Sequence, residues 1–265
     1  MNLKMILRGT GVAIVTPFKT DLSVDFDALA KLIDFIINGG VEYIVTLGTT
    51  GETPVLSKEE KLRIIDFTIN HINNRVPVVV GIGGNDTAAV IKDLETYPLE
   101  KATAILSASP YYNKPSQQGL FEHYRLLAGA SPKPIILYNV PGRTASNIRA
   151  TTTLQLANDF KNIIGIKEAS NDWQQIFWLA REKPADFYLI SGNDDLIVPQ
   201  ISIGYDGVIS VIANALPNQF STMVHQALAG DFASAKKTVN GLQRKNLCYI
   251  KKALKQLKLS TIINY

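Results

Sequence analysis

Six short strings hold polar residues whose types and spacing suit chemistry on a small carbonyl compound. Lys167 closes the apolar run IIGIKE (163–168), so it sits where a buried strand would release an ammonium group into a low-dielectric mouth. There a lysine either pairs with a carboxylate or loses its proton and becomes a nucleophilic amine. Both readings stand on spacing alone, a structural salt bridge and a Schiff-base lysine. Tyr138 ends the run PIILYN (134–139), with a phenol that could move protons during carbinolamine and imine steps. Its bland alternative is a core tyrosine with a satisfied hydroxyl. Arg143 follows five residues later in NVPGRT and has the fork to bind a carboxylate, unless it is simply a surface arginine. Thr49 and Thr50 in LGTTGE (47–52) put two hydroxyls in a Gly-flanked turn able to cradle a carboxylate, although such pairs are mostly turn formers. Tyr111 and Tyr112, and then Gly192 and Asn193, complete the polar set at the ends of apolar runs.

These residues need a scaffold that brings the ends of several runs together. The chain offers eight Val- and Ile-rich runs, at 11–17, 43–47, 77–82, 102–107, 134–139, 163–168, 187–191 and 207–212. None shows the strict alternation of a half-wet strand, which suits parallel strands covered on both faces. Between them lie helix-period stretches: Phe26, Leu29, Ile33 and Ile36 share a face, as do Leu62, Ile65, Ile69 and Ile72. Asp25 and Ser57 stand at N-cap positions, the latter with Glu60 in a capping-box pattern, and Gly39-Gly40 closes the first helix. Eight such units predict an α/β fold, a closed (β/α)8 TIM barrel with additional C-terminal helices. An open doubly wound sheet is the alternative. The barrel is assigned to residues 1–230 and a basic helical extension of the same unit to 231–265.

Other features read as structure. GIGGND (81–86) superficially matches a dinucleotide fingerprint but lacks the third glycine spacing, so it predicts a tight turn with Asp86 as N-cap. Asp194-Asp195 reads as an N-cap, and His71, His123 and His225 as histidines on helix surfaces.

With 46% hydrophobic and 19% charged residues among 265, the composition is that of a soluble globular protein. No apolar run approaches a membrane span, and MNLKMILRG is too short in apolar residues for a secretory signal, so a cytoplasmic location is expected. The single Cys248 allows no internal disulfide, and no ligand spacing predicts a metal. The net charge of +4 is unevenly placed: residues 1–231 hold 19 basic and all 23 acidic side chains, and 232–265 hold eight basic ones. Lys251, Lys252, Lys255 and Lys258 interleave with Leu254 and Leu257 at helical spacing, a pattern open to an anionic-surface helix but read as the solvated face of a terminal helix, so neither nucleic acid nor membrane is expected as a partner.

In order along the chain, GVAIVTPF (11–18), LGTTGE (47–52), SPYYNKP (109–115), LYNVPGRT (137–144), GIKEAS (165–170), SGND (191–194) and GVISV (207–211) resemble the dihydrodipicolinate synthase family of pyruvate-dependent class I aldolases. The resemblance covers residues 9–230. It implies a cofactor-free and metal-free condensation of pyruvate with L-aspartate 4-semialdehyde in lysine (diaminopimelate) biosynthesis, through a covalent imine between Lys167 and pyruvate. Tyr138 matches the family's proton-transfer tyrosine, and Thr49 and Tyr112 its relay partners, the latter reaching in from a neighbouring subunit. Thr50, Gly192 and the backbone at Ile209 match the substrate side of the site, and Arg143 the carboxylate anchor at its entrance. A homotetramer built as a dimer of dimers is implied too. Sibling aldolases acting on N-acetylneuraminate or 2-keto-3-deoxy sugar acids remain alternatives, as does a catalytically silent 2-keto-acid-binding barrel.

Two departures stand out. LQRKNLCYIKKALKQLKL runs on without the family's Asn-Pro turn before the last helices. The positions matching an allosteric lysine pocket are Lys58, Lys61, Asn85, Ala89 and Tyr111, so its carboxylate is replaced by Ala89. Weak or absent inhibition by lysine is expected, because the ligand's ammonium loses its counter-ion and meets Lys61.

Overall fold

The computed structural model describes residues 6–244. Cys248 and the Lys251–Lys258 stripe lie outside them. Eight parallel strands pair in chain order and close on themselves: β1 (Gly9–Ala13), β2 (Tyr43–Thr46), β3 (Val78–Gly81), β4 (Ala104–Ala108), β5 (Ile135–Asn139), β6 (Ile163–Glu168), β7 (Tyr188–Ser191) and β8 (Gly207–Ser210). Closure is made by β1 on β8, with Gly9 opposite Gly207 and Gly11 opposite Ile209. All eight predicted runs are strands of one barrel, and the open-sheet alternative falls.

The helices are α1 (Phe26–Asn38), α2 (Lys58–Ile72), α3 (Thr87–Thr96), α4 (Gln117–Ala130), α5 (Ala150–Asp159), α6 (Trp173–Glu182), α7 (Ile197–Ser202), α8 (Pro217–Leu228) and α9 (Phe232–Arg244). Their starts follow the predicted caps. Asp25 accepts from the Ala28 amide, Ser57 and Glu60 form the reciprocal capping box, and Asp86 accepts from Ala88 and Ala89 at the head of α3.

Apolar side chains form two layers. The larger lies between strands and helices, where Leu29, Ile33 and Ile36 of α1 meet Ile65 and Ile69 of α2. The smaller fills the barrel, with Leu7 and Tyr43 toward one end and Ile136, Tyr138, Ile190 and Ile209 among its members. A barrel interior packed with side chains is a core rather than a pore, so reactions belong at its mouth. Among the described residues, no helix is long and apolar enough to cross a membrane.

Two sequence expectations need correction. His123 is not a surface histidine: it is 3% exposed, and its Nδ1 meets the Thr87 hydroxyl at 2.8 Å. The face of α4 that carries it turns toward α3, so helical position alone misassigned it. Burial pushes its pKa down to about 4. His71 and His225 are more open and pair with Asp34 and Glu42. Asp194-Asp195 does not cap α7, whose N-cap position is Leu196 with no side-chain bond. Asp194 accepts instead from the amides of Val211 and Ile212, at 3.0 and 2.9 Å, and ties the loop after β7 to the turn after β8. A partner 17 residues away outcompetes the local cap.

Candidate active site

The pairing of β5 with β6 sets the centre of the site. The register slips between Ile135 and Ile136, so Ile135 faces Ile163 but Ile136 faces Gly165. This one-residue irregularity places Lys167 opposite Tyr138 and Glu168 opposite Asn139. Because side chains alternate along a strand, the first pair then points into the barrel and the second outward. Tyr138 is 6% and Lys167 5% exposed. The Lys167 nitrogen lies over the Tyr138 ring, 4.2 Å from its centroid, so the contact is with the aromatic face.

Beside them opens a cavity of about 340 Å³, lined by Gly48, Thr49, Tyr111, Tyr138, Val140 and Arg143. A volume of that order suits a small ligand. Arg143 is exposed at the rim, on the helical turn Pro141–Thr144. Lys61, Asp93 and Tyr97 line the same cavity further out. Asp93 lies one helical turn beyond Ala89, and Lys58 approaches it at 3.9 Å.

The LGTTGE turn is held by hydroxyls that the sequence did not single out. Thr53 donates to the carbonyls of Leu47 and Gly48 at 2.7 and 2.9 Å, and Thr16 to Gly51 at 2.7 Å. Leu47 and Glu52 both adopt left-handed backbone, at φ 54° and 55°, a conformation that costs energy and gathers at functional turns. Thr49–Gly51 form a short 3-10 helix between them, with Thr50 half-buried beside Thr49. On the neighbouring strand Gly81 is obligatory, since a Cβ there would fall 2.2 Å from the Leu47 carbonyl oxygen.

The remaining predicted residues surround this centre. Ile209 is buried at 1% exposure on β8, and Gly192 packs so closely on Ala169 that a Cβ would lie 2.4 Å from that side chain. Asn85 donates to the Tyr111 carbonyl at 3.2 Å. Tyr112 is different: it is 88% exposed, with a left-handed φ of 74°. Its loop is tied to Thr144 through the Tyr112 amide, while its ring stands away from its own barrel.

Two carboxylates flank the lysine strand. Glu168 is fully buried, and burial pushes its carboxyl up against the opposing hydrogen bonds of Ser170, Gln175 and Asn139. Burial also raises Asp194, opposed by Ile212, Ser210, Val211 and the charge of Lys167. Sequence reading placed Glu168 at the strand end without a role and took Asp194 for a cap. Alternation along IIGIKE was the available signal for Glu168, but the register slip hides which face it takes.

A closed parallel barrel with a buried lysine beside a tyrosine and a small cavity suits an aldolase-like enzyme of the Schiff-base class. The chain belongs to the dihydrodipicolinate synthetase family, whose model it matches over residues 6–263. It is 51% identical over 230 residues to the 4-hydroxy-tetrahydrodipicolinate synthase of Parabacteroides distasonis, covering 87% of this chain and 77% of that one. It is 53% identical over 220 residues to the enzyme of that name from Flavobacterium psychrophilum, covering 83% and 75%. The crystal structure of dihydrodipicolinate synthase from Aquifex aeolicus superposes with a TM-score of 0.90 at 35% identity, over 95% of this chain and 88% of that one. The chain is therefore an enzyme, a lyase of the class I aldolase type.

Proposed function

We propose that Lys167 is the nucleophile of this barrel and Tyr138 its proton carrier. The reaction is that of 4-hydroxy-tetrahydrodipicolinate synthase, a cofactor-free Schiff-base condensation in lysine biosynthesis. The observation that supports the assignment is the inward pair on adjoining strands, with the Lys167 nitrogen 4.2 Å from the Tyr138 ring centroid. The substrates on this reading are pyruvate and L-aspartate 4-semialdehyde.

The neutral amine of Lys167 attacks the C2 carbonyl of pyruvate, and the carbinolamine loses water to give the imine. Loss of a C3 proton leaves an enamine, with the protonated imine nitrogen as electron sink. The enamine carbon bonds to the aldehyde carbon of the second substrate. The amino group of that substrate then displaces Lys167 as the ring closes, which returns the free amine. Tyr138 carries protons to and from the oxygen and nitrogen centres, with Thr49 beside it in the cavity. Thr50, Gly192 and the Ile209 backbone hold the pyruvate end, and Arg143 at the rim binds the incoming carboxylate.

Tyr112 completes the relay from a second copy of the chain. Its exposure and its left-handed backbone suit a residue placed for a partner rather than for its own core. A homotetramer, as a dimer of dimers, and a cytoplasmic location go with this reading.

Borohydride reduction in the presence of pyruvate tests it. The peptide carrying Lys167 should gain one reduced pyruvate, and Lys167→Ala should lose both the adduct and nearly all turnover. A folded wild-type protein without an adduct, or an adduct retained by Lys167→Ala, overturns the assignment.

A further inference from the structure

Directly outside the Tyr138–Lys167 pair lies a closed polar cluster that the reaction itself does not use. Glu168 and Asn139 are both fully buried and face one another across the same two strands. Glu168 Oε1 accepts from the Ser170 amide at 2.7 Å and from Asn139 Nδ2 at 3.0 Å. Its Oε2 accepts from Gln175 Nε2 on α6 at 2.8 Å and from Asn139 Nδ2 at 3.1 Å. Asn139 also donates to Asn147 Oδ1 at 2.8 Å, and its Oδ1 accepts from the Ile148 amide at 2.9 Å. The cluster therefore clamps β5, β6, α6 and the segment that follows the Arg143 turn.

A buried carboxylate carries a desolvation cost, and hydrophobic residues of similar size would often stabilise the fold as well or better. Its place here needs another reason. The two strands already depart from regular register just below it, and a one-residue slip would reverse the facing of every side chain beyond. Both carboxylate oxygens are ringed by donors only, so the cluster closes in a single register, the one in which Tyr138 and Lys167 point inward together.

We propose that Glu168 is a positioning residue for catalysis: by gripping Asn139 and Gln175 it holds the slipped β5–β6 pairing in which Lys167 stands against Tyr138. This rests on the roles of Lys167 and Tyr138 given above. A misplacement of about 1 Å at a reacting pair can cost on the order of 100-fold in rate, so loosening the clamp acts on turnover before it acts on substrate binding.

The test uses the full-length chain. Glu168→Gln places an amide N–H2 where an oxygen now accepts, facing a donor. It should lower kcat and the rate of borohydride-trapped adduct formation at Lys167 by roughly tenfold or more. The pyruvate KM should stay within about threefold, because the cavity wall is intact. The exchange Glu168→Gln with Gln175→Glu restores an acceptor opposite a donor; it sacrifices the 3.3 Å bond from Gln175 to Asn147 and the 3.1 Å bond from Asn139 to Oε2, while Asn139 keeps its 3.0 Å bond to Oε1. It should recover most of the lost rate. Where Glu168→Gln fails to fold, Gln175→Met at the edge of the cluster carries the same comparison. Wild-type kcat and trapping rate in the folded single variants, or an exchange variant no better than Glu168→Gln, overturns the proposal. Absence of any adduct in the wild-type protein would instead remove the reading on which it rests.

Discussion

Lys167 and Tyr138 face each other from adjoining strands, and the lysine nitrogen meets the ring face, 4.2 Å from its centroid, rather than the phenol edge. On the proposed roles, the ring packs against the lysine nitrogen and the hydroxyl is left for proton transfer. Tyr138→Phe separates the two jobs. It should fold with nearly unchanged thermal stability and still form the pyruvate adduct, slowly, with kcat lowered by about 100-fold or more. Comparing steady-state turnover with single-turnover trapping checks this, and an unchanged kcat would contradict the proton role.

Tyr112 offers a test of assembly and chemistry together. Tyr112→Phe should lower kcat by about tenfold or more and leave the pyruvate KM nearly unchanged, because a relay acts on proton transfer and not on ground-state binding. Analytical ultracentrifugation of the same samples should show an unaltered oligomer. Equal losses in kcat and KM would argue against a relay.

Buried His123 makes stability depend on pH. The folded chain takes up this proton only near pH 4, whereas an unfolded histidine does so near 6.5. The contribution is complete above about pH 6.5 and is lost as the pH falls toward about 4, since the unfolded chain binds the extra proton first. The full effect is of order 3 kcal/mol. His123→Gln should flatten the pH dependence of urea unfolding across that window, and an unchanged slope would show that other groups set it.

The positions that match the family's lysine pocket give an expectation about regulation. Ala89 supplies no carboxylate, Asp93 is engaged by Lys58, and Lys61 adds positive charge. Inhibition by L-lysine should be weak or absent, and Ala89→Glu should increase it. An inhibition titration of the wild-type enzyme that reaches half effect at sub-millimolar lysine would refute this.

Much of the architecture was legible in one dimension. Buried parallel strands leave continuous Val and Ile runs, and helix starts leave Ser57-Glu60 or Asp86, because these signals depend on neighbours within a few residues. The strand-end positions of Lys167, Tyr138 and Thr49 were visible for the same reason. Misassignments arose where a distant partner decided the outcome. Asp194 found the amides of Val211 and Ile212 rather than the next helix, and His123 found Thr87 across an interhelical seam.

The sequence by itself determined the alternation of eight strands and helices and the set of polar residues delivered to one end of the barrel. Only the tertiary structure decided how those residues face one another. The slip at Ile135/Ile136 turns Lys167 toward Tyr138 and sends Glu168 outward to Asn139. Side-chain facing has a period of two, so one inserted residue reverses it, and no local propensity records where that residue falls. Its position follows from the joint packing of two strands and a helix that lie far apart in the chain, with Glu168 closing the contact.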